Sequence, residues 1–425
     1  MMEHCGLFVL ASAFLELNFS AGGAEGWNLL DFLLPAAAVL FVMKGLLQKQ
    51  LHSLVRFSSP LPLLFLVLVV LHILTDRRFD QIYSALSHYT LPIGGFRLYY
   101  MIMINVLLYY ISPMIIDSMA KLRTLLKMML FFIFLQMALS FSRLALGIES
   151  LPWDTYTSEL HALSGSEDSG TRLILLGNMG YLLFCYSLIL LKPGVLRKTS
   201  LLLSGAALLI SGGRAMLFGG AIVGLLYVFL ERKKRSLALL GSLSMLIAVF
   251  SFSFSPSLSD PLPPLAKKYL TFLSVENHDP SPSDEVSRIS LWKPQLQMIL
   301  NHPVWGTLQE IPEEVDDRVK ENILRGDAHS VYLGIATCFG IPALVLTGLF
   351  FLRQLRRSHL VSQEIRAGDV ELFSIGRWLF YSIAGYLVMY VAIGGADGGH
   401  RSGQLLLGLV DVVAVLQSKK VHDAS

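Results

Sequence analysis

Charge is what this chain has least of. Only 15% of its 425 residues are Asp, Glu, Lys or Arg, against about 25% in soluble domains. A deficit that runs the whole length excludes a water-soluble globular protein, because lipid must then be the solvent for most side chains. Cysteine is scarce as well. Cys5, Cys185 and Cys338 are the three present, each in or beside an apolar run and without CxxC spacing, which argues against a disulfide framework and a zinc site. The formal charge of +3 gives no nucleic-acid signal. The start, MMEHCGLFVLASAF, lacks a basic n-region and a small-residue cleavage site, so it is read as the beginning of a retained first span and not as a signal peptide. Neither a repeat of fixed period nor a low-complexity tract is present.

Apolar residues make up 54% of the chain, and the mean hydropathy is +0.59. Several runs approach the roughly 20 residues a helix needs to cross the hydrocarbon core. A spanning barrel alternates apolar and polar positions, whereas Leu201–Ile210 and Leu237–Phe252 are apolar all round. The expected fold is therefore all-α, a polytopic transmembrane helical bundle of about twelve spans. They fall near 6–22, 27–46, 60–75, 97–116, 124–147, 173–191, 199–213, 214–230, 236–254, 330–352, 374–393 and 402–417. Glu16 and Asn18 make the first span the weakest, and the seventh and eighth are short enough to form a hairpin.

Lys and Arg in short connections set orientation. With both termini cytoplasmic, the inside connections hold Lys44, Lys49 and Arg56, then Lys121, Arg123 and Lys127, then Lys192, Arg197 and Lys198. Arg232–Arg235, Arg353, Arg356, Arg357 and Arg366, and finally Lys419 and Lys420, complete the pattern. The outside connection Glu149–Arg172 is acidic instead. The division is thus spans one to nine over 1–254, a large external loop over 255–328, and the last three spans with a cytoplasmic tail over 329–425. The loop opens on SPSLSDPLPPL, too rich in proline for a helix. Beyond it, Ile289, Trp292, Leu296 and Ile299 recur at helical spacing, with Pro294 marking the expected start of the helix proper. Glu313–Leu324 is a second amphipathic stretch. Such helices lie on a membrane or cap a cavity between spans.

Three residues with chemistry to offer sit at the expected outer face. Arg214 lies in SGGRAM between two apolar runs, Arg288 in EVSRISLW at the start of the loop helix, and His329 in GDAHSVYLG before the tenth span. Such a trio suits transfer from a lipid diphosphate. Guanidinium groups stay charged and grip phosphate oxygens through paired bonds, and a neutral histidine takes the proton from an attacking hydroxyl. Each residue also has a plain structural reading: Arg214 as a snorkelling anchor, Arg288 as a surface residue, His329 as a cap.

At these residues the sequence resembles the O-antigen ligase and polymerase superfamily of bacterial envelope glycosyltransferases. SGGRAMLFGGAIVGLLYVFL is similar to its small-residue–Arg turn and following span. SRISLWKPQLQMILNHPVWG is similar to its Arg-x(3)-Trp helix running into a His-Pro-x(2)-Gly turn, and DAHSVYLGIATCFGIPALVL to its His-x(2)-Tyr-Leu opening and Gly-Ile-Pro kink. Ser330 follows His329 where many members carry Asn. The resemblance covers roughly 211–345. It implies a membrane glycosyltransferase of GT-C-like type, inverting and metal-independent, without a cofactor. It would work at the periplasmic face of the inner membrane, taking a glycan from undecaprenyl diphosphate to the lipid A–core oligosaccharide. Arg214 and Arg288 would hold the diphosphate, and His329 would act as base toward the acceptor hydroxyl or help position it. His400 and Arg401, in GGADGGHRSG, are second-tier candidates, while Trp292 and Trp305 read as packing residues. The partners implied are the carrier-linked donor, the lipid A–core acceptor and membrane lipids, with no nucleic acid.

Other functions stay open. A polymerase joining repeat units on the same carrier, or a protein O-oligosaccharyltransferase, would share these motifs. From another class, a transporter or flippase would use intramembrane acids such as Glu16, Asp31 and Asp411 as a relay, though no inverted repeat or pair of Gly/Pro-broken spans supports it. A structural scaffold is the remaining alternative.

Overall fold

A computed structural model of the chain describes residues 2–14, 18–21, 24–28, 33–40, 58–75, 94–145, 169–211, 214–231, 288–306, 330–364, 369–391 and 401–424. In chain order the elements are α1 (Met2–Ala11), a 3-10 turn (Ser12–Phe14), β1 (Asn18–Ala21), β2 (Ala24–Asn28), α2 (Leu61–Thr75), α3 (Gly94–Ile115), α4 (Met119–Ala145) and α5 (Ser169–Ile189). They continue with α6 (Val195–Ile210), α7 (Arg214–Glu231), α8 (Arg288–Asn301), α9 (Val331–Glu364), α10 (Val370–Met389) and α11 (Arg401–Ala424). Among the described residues, four stretches are long and apolar enough to cross a membrane: Leu98–Ile115, Met119–Ser142, Val331–Gln363 and Val370–Met389. Leu61–Thr75, Leu175–Ile189 and Ala215–Leu230 are shorter apolar helices. The protein is thus a helical, multi-pass membrane protein. The expected span 236–254, half of 27–46, the stretch 313–324 and all of the external loop except 288–306 lie outside the described residues.

The first expected span needs correcting. Helix ends by Phe14, and Asn18–Ala21 instead pairs antiparallel with Ala24–Asn28 through Phe19 opposite Trp27. The sequence gives the reason: after the apolar run, Glu16, Asn18 and Ser20 interrupt it, and Gly22–Gly23 separates the two strands. Hairpins favour such a pair at the turn.

The chain divides into two compact units. The first comprises Met1–Met129, Ser290–Ile383 and Tyr390–Ser425. At its centre is α11, buried at every position from Ser402 to Val413, the polar Ser402, Gln404 and Asp411 included. It packs on α3, while α9 packs on α2. Contacts sort the helix ends into two sets. At one end, the end of α11 meets the α3–α4 connection through Lys419 Nζ, 3.3 Å from the Asp117 backbone carbonyl, while the Asp117 carboxylate is ion-paired with Lys121. The same end holds the ion pair of Arg123 with Glu371 at the start of α10, where the Asp369 carboxylate accepts from the Glu371 and Leu372 amides at 3.0 and 3.2 Å as an N-cap. At the opposite end, the Val331 amide opening α9 donates to the Tyr390 carbonyl closing α10 at 2.9 Å. The alternation matches the one expected from the basic connections.

The second unit comprises Leu130–Ile289 and Ala384–Met389. Here α6 and α7 both pack on α5, and small residues allow the close approach. A Cβ on Gly180 would sit 2.9 Å from that of Ala207 and 3.2 Å from the Ser204 carbonyl, the contact typical of membrane helices. In the α5–α6 connection Arg197 caps α5 by donating to the Leu188 carbonyl at 2.8 Å, as cations do at helix C-termini. Tyr386 donates to the Asn178 side chain at 2.6 Å.

Candidate active site

The candidate residues share a local setting: each opens a helix or sits just before one. Arg214 is the first residue of α7, Arg288 the first of α8 and Arg401 the first of α11. His329 and His400 lie outside the described residues, each immediately preceding a described one. Helix N-termini present unpaired N–H groups and the positive end of the dipole, which suits anions.

Within the second unit, the end of α6 and the start of α7 fall at the end away from the basic Lys192–Lys198 connection. There Ser211 closes α6, its amide donating to the Ala207 carbonyl at 2.9 Å and its hydroxyl to the Leu208 carbonyl at 2.9 Å. α7 opens three residues later, at Arg214. Within the first unit, the starts of α9 and α11 lie together at the end away from Lys121, Arg123 and Lys419. Arg401 is half-buried, with Nη2 3.2 Å from Met101 Sδ near the start of α3. Arg214 and Arg288 belong to the second unit, and the helices that His329 and Arg401 precede or open belong to the first.

Ser330 gives the departure from Asn a physical account. Its hydroxyl lies 3.4 Å from the Leu333 amide, the N-cap contact for α9, and 3.4 Å from the Tyr390 carbonyl. Ser and Asn cap helices about equally well, so the position that follows His329 keeps its role under either residue.

The two remaining motifs meet each other. α9 breaks at Gly340, with φ 80° and ψ 175°. The Ile341 amide turns out of the helix and donates to the Pro303 carbonyl at 2.7 Å, while Pro342 has no amide to lose. The HPVWG turn presents Gly306 at φ 75°. A Cβ on Gly306 would lie 2.5 Å from the Cys338 carbonyl, and one on Gly340 2.5 Å from the Val304 carbonyl carbon. Two backbones therefore touch where only glycine fits. Over this contact the Trp305 indole stacks on the buried His72 ring at 4.5 Å and 19°, and His72 meets Phe339 edge-on at 5.2 Å. Trp305 is a packing residue, as expected.

Two sequence expectations about α8 are corrected. The helix starts at Arg288 and carries Pro294 inside it. Its face is also rotated: Trp292, Gln295, Met298 and Ile299 turn inward, while Leu296 is 50% exposed. The helical spacing grouped Leu296 with Trp292 and Ile299, and of these three Leu296 is the exposed one.

Sequence reasoning also missed a buried polar network inside the first unit. Asp411 on α11, fully buried, is ion-paired with Arg357 of α9 and hydrogen-bonded by Tyr109 of α3. Gln354 Nε2 lies 3.0 Å from the Tyr109 hydroxyl and 3.4 Å from Asp411. The Ser59 amide donates to Tyr109 at 2.7 Å, which draws in the start of α2. Asp411 was visible as an intramembrane acid, and Arg357 within α9 was the signal of its partner. Among the described residues, no group of three metal-ligating side chains occurs.

Helices of spanning length, small-residue packing and, in the first unit, charged connections gathered at one end define a polytopic membrane protein whose candidate groups stand at or just before helix starts. The family described as O-antigen ligase matches residues 199–348, a segment that carries Arg214, Arg288, His329 and both halves of the glycine contact. The resemblance drawn from the motifs is thereby shown. No curated protein matches the chain.

Proposed function

We propose that the chain is an inverting, metal-independent glycosyltransferase, an O-antigen ligase. It moves a polysaccharide from undecaprenyl diphosphate to the lipid A–core oligosaccharide at the periplasmic face of the inner membrane. The family match over 199–348 carries the proposal. The helix starts support it, since Arg214 and Arg288 each combine a guanidinium with a helix N-terminus, two features that favour a diphosphate.

The step follows from the groups. His329 takes the proton of an acceptor hydroxyl as its oxygen attacks the anomeric carbon from the face opposite the diphosphate. The sugar–phosphate C–O bond breaks, and its electrons leave with undecaprenyl diphosphate, whose added negative charge Arg214 and Arg288 stabilise. His400 and Arg401 would stand at the same end of the first unit as His329.

The test uses purified protein in lipid nanodiscs with carrier-linked glycan and a lipid A–core acceptor, in the presence of EDTA. Transfer is expected to proceed, and His329→Ala to lower it about 10²–10⁴-fold, the usual contribution of general base catalysis. Arg214→Ala and Arg288→Ala are expected to be strongly impaired. Folded variants that transfer like the wild type would refute the site, and activity lost to chelator and restored by a divalent ion would refute metal independence. A polymerase shares the family features, and a deletion strain separates the two. Carrier-linked long chains with bare lipid A–core mark a ligase, whereas lipid A–core bearing one repeat unit marks a polymerase.

A further inference from the structure

The helices of the first unit do not close completely on one another. A cavity of about 460 Å³, its open mouth included, lies between α2, α3, α9 and α11. Its walls are mostly apolar, with Phe65, Ile102, Val106 and Phe350 among them. Of the lining residues Leu61 and Leu346 are half-buried and the others are buried, so the mouth lies between the start of α2 and the middle of α9. Around it, Leu64 of α2 is 50% exposed, and Val345 and Leu349 of α9 are 50% and 51% exposed. These are faces that meet hydrocarbon in a membrane. An apolar cavity that opens there suits a hydrocarbon chain.

The same helix supplies a partner for the polar end of such a ligand. Leu346, Phe350 and Arg353 stand at i, i+4 and i+7, on one face of α9, so the face that walls the cavity leads on to a guanidinium. Arg353 is exposed, and near enough to Tyr110 for its charge to act there. The Tyr110 hydroxyl donates to the Ser59 carbonyl at 2.6 Å, two residues before Leu61. Arg353 therefore stands beside the start of α2, about 10 Å along the helix from Leu346 and toward the basic end. A second stripe of α9, Val345, Leu349 and the 61% exposed Leu352, runs on to the exposed Arg356. Among the described residues neither Arg353 nor Arg356 forms an ion pair, whereas Arg357 is held by Asp411. Two cations at the border and an apolar opening one to two turns deeper match the two ends of a bilayer lipid.

We infer that this mouth is a binding site for an anionic phospholipid: Arg353 and Arg356 hold its phosphate, and one acyl chain enters the cavity past Leu61 and Leu346. Charge selects the occupant. Guanidinium groups grip phosphate oxygens, and basic pockets between spans are where anionic headgroups dock; a zwitterionic lipid brings a cation of its own against the two arginines. The site stands apart from the glycosyl-transfer reading, because no candidate residue for transfer takes part in it.

The test titrates the whole protein in detergent with dioleoyl phosphatidylglycerol, dioleoyl phosphatidylcholine or glycerol 3-phosphate, and native mass spectrometry counts what is bound. The wild type is expected to bind the anionic lipid about 25-fold more tightly than the zwitterionic one, about fivefold for each arginine. Arg353→Ala and Arg356→Ala are each expected to lose about fivefold for phosphatidylglycerol and nothing for phosphatidylcholine. Lys198→Ala, which removes an exposed cation from α6, is expected to bind like the wild type. A wild type without the preference overturns the inference. An equal loss in Lys198→Ala does so too, because net charge and not a site would then attract the lipid. Glycerol 3-phosphate binding as tightly as phosphatidylglycerol would remove the acyl chain from the account. Failure of both Arg353→Ala and Arg353→Gln to fold would make that arginine structural and overturn the site as well.

Discussion

Gly340→Ala tests the contact between the two family motifs most directly. At φ 80° and ψ 175° the residue occupies backbone space that is essentially glycine-only, where another residue costs about 1–3 kcal/mol. The new methyl would also press on the Val304 carbonyl, with its carbon 2.5 Å away. Both neighbours are backbone, so relief means separating the HPVWG turn from α9. That breaks the 2.7 Å bond from Ile341 to Pro303, about 0.5–1.5 kcal/mol, and unstacks Trp305 from His72, about 0.5–1.5 kcal/mol. The whole effect is about 2–6 kcal/mol, a large fraction of the 5–15 kcal/mol that typically holds a fold.

Thermal unfolding in detergent, followed by tryptophan fluorescence, reads both the loss of stability and the release of Trp305. Gly348→Ala in the same helix is the control. No atom lies within 4 Å of its Cβ position, so the helix should gain about 0.5–1 kcal/mol. A Gly340→Ala protein that melts with the wild type and keeps its tryptophan spectrum would refute the glycine contact. A Gly348→Ala protein that loses as much stability as Gly340→Ala would refute the claim that position, and not composition, makes Gly340 necessary.

Arg357→Ala leaves Asp411 buried without its cation. Breaking such a pair costs about 3–5 kcal/mol, and the lower figure is expected because Tyr109 and Gln354 still donate to the carboxylate. Adding Asp411→Asn should recover part of the loss, and a double variant no more stable than Arg357→Ala would show that the charge is not what matters. Arg123→Ala removes an ion pair whose side chains are 56% and 41% exposed, so its melting curve should overlay the wild type's. A clear downward shift would make that pair structural.

How much was legible in the sequence depended on which solvent each rule assumes. Runs apolar on every side predicted the bundle, and the basic connections predicted which helix ends gather together, because both follow from lipid and its charged borders. The Gly-Ile-Pro kink was readable locally, since glycine and proline act on their own backbone. What the kink meets was not readable: Pro303 and Val304 reach Gly340 only through the tertiary fold. The first span failed at Glu16 and Asn18, already its weakest point. α8 failed for a different reason. An amphipathic pattern buries leucine where water is outside, but Leu296 and Leu300 are turned out and Gln295 in.

Asp411 bears on the choice between a transferase and a transporter. A proton relay needs a carboxylate that can exchange partners along a path of titratable groups. Asp411 instead receives Tyr109, Gln354 and Arg357 from two other helices, and Tyr109 is itself bound by the Ser59 amide. Every contact runs sideways, from α11 to α3, α9 and the start of α2, and ties four segments together. A carboxylate held from three sides suits a bundle that must stay fixed beneath a site fed from the bilayer. A relay would lead on to further titratable carboxylates or histidines, whereas the Asp411 contacts described here end at a tyrosine, a glutamine and an arginine.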